Sequence, residues 1–199
     1  MTGVGLVALG DSFVEGRGDP AAAGGYRGWV SRLGAQLGLR PNAIRNLGVH
    51  GATTGDVLRE QLPAAVRAEL YGVVVGVNDL VSAYDPDAFE ANLDALFGAL
   101  RYTGATVFTA DYPDIPARLP VPDGFRALLR ERFSFANAAM ARVTADHGVL
   151  LLDLSARAEW ERAGTWTEDG LHPSPSGHRL FAASAAELIS TIIATTVAA

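Results

Sequence analysis

The 199-residue sequence contains no cysteine and no lysine. Without cysteine there is no thiol nucleophile, no disulfide and no thiolate ligand for zinc or an iron–sulfur cluster. Without lysine there is no P-loop lysine, no Schiff-base amine, no kinase-type strand lysine and no receiver-domain lysine. All 16 basic residues are arginine, set against 22 acidic ones, for a net charge of −6 with no long run of one sign. That balance argues against a nucleic-acid backbone as partner. Apolar runs long enough to span a bilayer are also missing; the C-terminal run after Phe181 is interrupted by Glu187 and by hydroxyl residues. No basic residue precedes Arg17, and Val4–Leu9 is too short for a secretory core, which predicts a cytoplasmic location.

What remains is the composition of a folded domain, 49% apolar and 19% charged, and residues 1–199 read as a single one. Five short apolar runs, Val4–Leu9, Ala43–Val49, Tyr71–Gly76, Ala105–Asp111 and Val149–Leu154, read as buried parallel strands. Segments of helical period lie between them. Trp29, Leu33 and Leu37 mark one apolar face, which makes Trp29 a core residue. Phe89, Leu93, Leu96, Phe97 and Leu100 mark another, behind an Asp85-Pro86 start signal. A third helix is expected from Phe125 to His147, and a last one from about Ser174-Pro175, with Leu180, Leu188, Ile192 and Ile193 turned inward. The alternation predicts a doubly wound α/β/α sandwich with helices on both faces of the sheet. Residues 113–122 hold four prolines, so they can be neither α-helix nor central strand. They read as a stiff loop at a strand's carboxyl end, the edge where open α/β sheets bind ligands.

Four stretches carry candidate chemistry. Gly10-Asp11-Ser12 closes the first strand, and Ser12 is either a helix cap or a nucleophile with an outward N–H. Asp169 and His172 sit three residues apart before Pro173, so the carboxylate can hold the imidazole; alternatively they are a turn cap beside a surface histidine. The remaining histidines, His50, His147 and His178, have no metal-motif spacing. In Asn46-Leu47-Gly48-Val49-His50-Gly51-Ala52-Thr53-Thr54, Gly51 can present a bare N–H, and Gly76-Val77-Asn78-Asp79 puts an amide side chain at the same sheet edge. An acyl-transfer site needs donors where negative charge develops on the carbonyl oxygen, and the N–H of Ser12, the N–H of Gly51 and the Asn78 amide can supply three.

These four blocks, in this order and spacing, resemble those of the SGNH hydrolases, the GDSL esterase and lipase family, and the resemblance covers the whole chain. It implies a three-layer α/β/α fold around a five-stranded parallel sheet. It also implies Ser12 as nucleophile, Gly51 and Asn78 completing the oxyanion hole with Ser12, and Asp169 orienting His172 as base. Action on a small-molecule ester, with no metal and no organic cofactor, follows from the same resemblance. Short acyl groups, such as acetyl esters of a small molecule or sugar, are the expected substrates. No G-x-S-x-G occurs, so the α/β-hydrolase nucleophile elbow is not the pattern. The rival readings are an O-acyltransferase using the same residues and a non-catalytic flavodoxin-like binding module. Asp11 and Asp79 read as loop-fixing acceptors of backbone N–H groups, and Asp111 and Asp153 as alternatives to Asp169. His50 reads as pocket lining or an ordinary loop residue, His178 as a packing or helix-surface residue. Arg27, Tyr84 and Tyr112 are candidates for shaping the substrate site.

Overall fold

The computed structural model describes residues 4–82 and 84–197, with side chains through Thr191. Strands β1 (Val4–Gly10), β2 (Ile44–Asn46), β3 (Ala68–Val74), β4 (Thr106–Ala110) and β5 (Leu150–Leu152) form one sheet in the order β2-β1-β3-β4-β5. Every pairing is parallel. Leu6 of β1 lies opposite Ile44 on one side and Leu70 on the other. A strand covered on both faces gains nothing from alternating polarity, and residues 5–10 are accordingly all buried. The chain leaves β1 for β2 and then returns past β1 to β3. This reversal opens a crevice at the carboxyl ends of β1 and β3.

Among the described residues, α-helical segments surround the sheet: α1 (Ser12–Glu15), α2 (Gly28–Gln36), α3 (Thr54–Asp56), α4 (Leu62–Ala64), α5 (Val77–Val81), α6 (Pro86–Arg101), α7 (Asp123–His147) and α8 (Pro175–Val197). A π-helical turn, Val57–Gln61, joins α3 to α4. Helix α2 packs on α8, while α6 packs on both α3 and α7, which builds the layers on the two faces. The start of α6 follows its sequence signal: Asp85 accepts from the N–H groups of Asp87 and Ala88 at 3.1 Å, and Pro86 occupies the first turn. Its expected face of Phe89, Leu93, Leu96, Phe97 and Leu100 is buried. Trp29 is fully buried against Phe108 and Phe181, a core residue as its period suggests. No helix among the described residues is long and apolar enough to cross a membrane.

Several elements differ from their expected bounds. Strand β2 stops at Asn46 rather than Val49, because the Asn46 side chain binds the Val14 carbonyl and the Gly48 N–H and turns the chain away. Strand β3 begins at Ala68 and ends at Val74, not Tyr71–Gly76. Strand β5 closes at Leu152, since Asp111 captures the N–H groups of Leu154 and Ser155. Helix α7 starts at Asp123, two residues before Phe125. In α8 the central face is His178, Phe181, Ala182, Ala185 and Ile189, with Leu180 and Leu188 half-buried at its flanks. The register is set by Phe181, whose ring enters the cluster of Phe13, Trp29 and Trp160. The side chains of Ile192 and Ile193 lie outside the described residues. The proline-rich loop contains one 3₁₀ turn, Ile115–Ala117, capped by Asp114.

Candidate active site

Ser12 is separated from the end of β1 by Asp11 alone and is the first residue of α1. The Asp11 side chain caps this short helix by accepting the Phe13 N–H at 2.9 Å. The helix itself leaves the Ser12 N–H unpaired. Phe13, the next residue, packs its ring against Phe181, His178, Trp29 and Trp160 and so anchors the turn in the aromatic core. The nucleophile candidate therefore sits on a rigid strand end and is held from beneath.

His172 brings its Nε2 to 2.9 Å from Ser12 Oγ, and its Nδ1 lies 2.7 Å from Asp169 Oδ2. Asp169 Oδ1 accepts the N–H groups of Leu171 and His172, at 2.8 and 2.9 Å, and the Thr167 hydroxyl at 2.7 Å. Partial burial works against the Asp169 charge. The hydrogen bonds from the His172 ring and backbone, Leu171 and Thr167 outweigh it and hold the carboxyl below the usual carboxylate range. An ionised carboxylate only accepts, so Nδ1 carries the proton and Nε2 turns its lone pair toward the serine hydroxyl. The turn is closed by the Thr167 N–H on the His172 carbonyl at 2.8 Å.

The other two blocks meet the same edge. The Val49 N–H donates to the Gly10 carbonyl at 3.1 Å, which brings the loop after β2 against the end of β1. Gly51 has a φ of +81°, a conformation that favours glycine. Asn78 Nδ2 donates to the Ala52 carbonyl at 2.9 Å. That bond uses one amide proton and leaves the second for a ligand oxygen. Asp79 accepts the backbone N–H and the hydroxyl of Thr54, and Asn92 donates to the same hydroxyl oxygen at 3.0 Å.

An apolar cavity of about 40 Å³ lies under the proline-rich loop, lined by the neighbours of Ser12 and His172 in the chain and not by those two residues themselves. Asp11, Phe13, Val77, Ile115, Trp166 and Leu171 are among its lining residues. A proline-rich segment cannot build its own ladder, and Arg126 compensates by donating to the carbonyls of Pro116, Leu119 and Val121. Arg118 stacks 5.0 Å from the Trp166 ring and donates to the Trp160 carbonyl at 2.5 Å, clasping this loop to the segment before His172.

The remaining candidates lie elsewhere or do other work. Asp11 and Asp79 accept backbone N–H groups as expected. Asp111 binds the β5 end, and Asp153 accepts from Ser155 and Ala156, so neither is the partner of His172. His50 is exposed, its ring centroid 6.2 Å from that of His172. His178 is fully buried rather than on a helix surface. Its Nδ1 accepts the Trp29 N–H and its Nε2 donates to the Arg17 carbonyl. Tyr112 lines the cavity and donates to the Val75 carbonyl at 2.6 Å. Tyr84 packs against Phe89, Phe135 and Arg132, and Arg27 is exposed. Among the described residues no group of three or more His, Asp or Glu side chains could hold a metal ion. Thr54, Thr167, Asn92 and Gln61 escape sequence reasoning as site residues. The first two lie inside the quoted blocks or beside them, whereas Asn92 and Gln61 carry no local signal.

The family model described as GDSL-like Lipase/Acylhydrolase matches residues 8–180. No curated protein sequence matches the chain. Among solved structures, an alpha/beta hydrolase from the metagenome of Lake Arreo, Spain, is 22% identical with a TM-score of 0.72, covering 94% of each chain. A lipase/acylhydrolase from Enterococcus faecalis is 23% identical at 0.69, over 92% of this chain and 94% of that one. A mutant of an acetyl-xylooligosaccharide esterase from Geobacillus Stearmophilus is 18% identical at 0.68, over 94% and 95%. At these identities the likeness is one of fold.

Proposed function

Because the chain belongs to the GDSL-like lipase/acylhydrolase family and is an ester-hydrolysing enzyme, we propose that it cleaves short-acyl carboxylic esters through Ser12, His172 and Asp169, by way of an acyl-enzyme. Ser12 Oγ attacks the ester carbonyl carbon while His172 Nε2 takes the hydroxyl proton. The carbonyl oxygen, now negative, is received by the N–H of Ser12, the N–H of Gly51 and the free amide proton of Asn78; one such donor is typically worth about 2.7–4 kcal/mol. Collapse breaks the bond to the alcohol, which leaves with the proton from His172. Water then adds to the acyl-serine, giving its proton to the same nitrogen, and the second collapse returns the acid and the serine hydroxyl.

The observation that carries this reading is the pair of contacts at His172, 2.9 Å to Ser12 and 2.7 Å to Asp169. The small apolar cavity lined by Asp11, Phe13 and Leu171, next in the chain to Ser12 and His172, supports a short acyl group, and the fold likeness to an acetyl-xylooligosaccharide esterase points to acetyl esters of a small molecule or sugar. Ser12→Ala is expected to abolish p-nitrophenyl acetate hydrolysis while leaving the circular dichroism spectrum unchanged. Retained turnover in a folded variant overturns the assignment.

A further inference from the structure

We propose that Gln61 is a positioning residue for the nucleophile, its side-chain amide completing the pairing of the Gly10 peptide groups two positions before Ser12, where β2 has already left the sheet. The inference rests on Ser12 being that nucleophile. Strand β2 pairs with β1 only as far as Ala8 opposite Asn46, whereas β3 follows β1 to Gly10 opposite Val74. The N–H and C=O of Gly10 point to the β2 side, where the Ala8 carbonyl accepts from Leu47 and the Gly10 carbonyl from the Val49 N–H at 3.1 Å, but where no backbone acceptor meets the Gly10 N–H. Gln61 supplies that acceptor and a second donor to the carbonyl. Its Oε1 accepts the Gly10 N–H at 2.8 Å and its Nε2 donates to the Gly10 carbonyl at 2.8 Å.

The reach of Gln61 has a local cause. It ends the π-helical turn, in which the Leu62 N–H bonds to the Val57 carbonyl five residues back, just ahead of Pro63. A proline ring crowds the carbonyl four residues before it, and a widened turn relieves that contact. The side chain is buried at 6% exposure and borders the hollow that also contains Gly51 and Ala52. On its other side Gly10, at a φ of +151°, has no room for a Cβ because the Val74 carbonyl oxygen stands in the way. The strand end is thus gripped between β3 on one side and the Gln61 amide with the Val49 N–H on the other. Rotation of either peptide plane at Gly10 breaks one of the two bonds, so the direction in which Ser12 leaves the strand is fixed.

The experiment compares wild type, Gln61→Met and Gln61→Glu in fluorophosphonate labelling of Ser12 and in steady-state hydrolysis of p-nitrophenyl acetate across pH. Gln61→Met removes both bonds at similar length. Its labelling rate and kcat should fall about tenfold to a hundredfold, with KM within about twofold of wild type. When protonated, the carboxyl group introduced by Gln61→Glu presents C=O and O–H in the amide's geometry, whereas its ionised form opposes the Gly10 carbonyl. The activity ratio of Gln61→Glu to wild type should therefore rise as pH falls. Asp56, Glu60 and His50 border the same hollow in both proteins. A folded Gln61→Met with kcat within about twofold of wild type overturns the proposal. If that variant does not fold, a pH-independent Gln61→Glu ratio overturns it. Wild type that fails to label removes the Ser12 reading and the proposal with it. Wild type that labels normally, beside unaffected variants, defeats the proposal alone.

Discussion

The Asp79 carboxylate holds Thr54 twice, accepting its backbone N–H at 2.9 Å and its hydroxyl at 2.6 Å. Thr54 opens α3, three residues beyond Gly51, and Asp79 follows Asn78, so one carboxylate joins the two segments that present Gly51 and Asn78 to the crevice. Thr54→Val keeps the shape of a fully buried residue but removes the hydroxyl that serves Asp79 and Asn92. The expected cost is about 1–3 kcal/mol in urea unfolding. A fall of about tenfold in kcat, with KM nearly unchanged, should accompany it.

Two glycines separate space from backbone conformation. An alanine at Gly10 would drive its Cβ into the Val74 carbonyl, and Gly10→Ala is expected to yield no folded protein, as judged by near-UV circular dichroism. At Gly51 a Cβ meets nothing within 4 Å, although φ is +81°. Gly51→Ala should fold, lose about 1–2 kcal/mol of stability and lose kcat through a displaced N–H.

Asp169→Asn tests the imidazole tautomer. An amide at that position can donate to Nδ1, which moves the ring proton to Nε2 and stops that nitrogen from taking the serine proton. The expected outcome is a loss of about 10³–10⁴ in kcat with the protein still folded. Activity within about tenfold of wild type would show that another group orients His172.

Burial pushes the Asp11 carboxyl up to about 7, against the Phe13 N–H bond that favours its charge and with Asp79 nearby adding to the rise. Between the ordinary value of 3.8 and about 7 the folded state holds a proton that the unfolded chain has released. Stability from this group is therefore full below 3.8 and is lost as pH rises through about 7. Asparagine keeps the cap to Phe13 without the ionisation. The stability advantage of Asp11→Asn over wild type in urea unfolding should grow from pH 4 to about 7 and then level off, reaching a few kcal/mol. A constant difference across that range would contradict it.

The cavity predicts a chain-length profile. With about 40 Å³ under the proline-rich loop as the acyl site, kcat/KM for p-nitrophenyl esters should be greatest for the shortest acyl groups and decline as methylenes are added. Ile115→Ala, which enlarges the cavity from the proline-rich loop, should move the preference toward longer chains.

How much of this is readable from residues alone depends on the range of the interaction. Strand β1 stands out because two-sided burial leaves an unbroken apolar run, and α6 because Asp85, Pro86 and its apolar face act within a few residues. The Asp169–His172 pair is legible for the same reason, since three residues of turn bring ring and carboxylate together. Gln61 is not, because its partner lies 51 residues away and a glutamine on a helix reads as surface. Asn137 repeats the device on Tyr112, binding its N–H at 2.9 Å and its carbonyl at 2.8 Å across 25 residues of chain. The inward face of α8 departs from the leucine spacing because aromatic packing around Phe181 sets the rotation of the helix.

The most direct measurement is peptide-level mass spectrometry of the wild-type protein quenched in the first turnover of p-nitrophenyl acetate. One acetyl group on Ser12, absent from Asp169→Asn at the same time point and from Ser12→Ala at any time, is the expected result. Acetyl on another residue, or p-nitrophenol released with Ser12 never acylated, would contradict the covalent route through this serine.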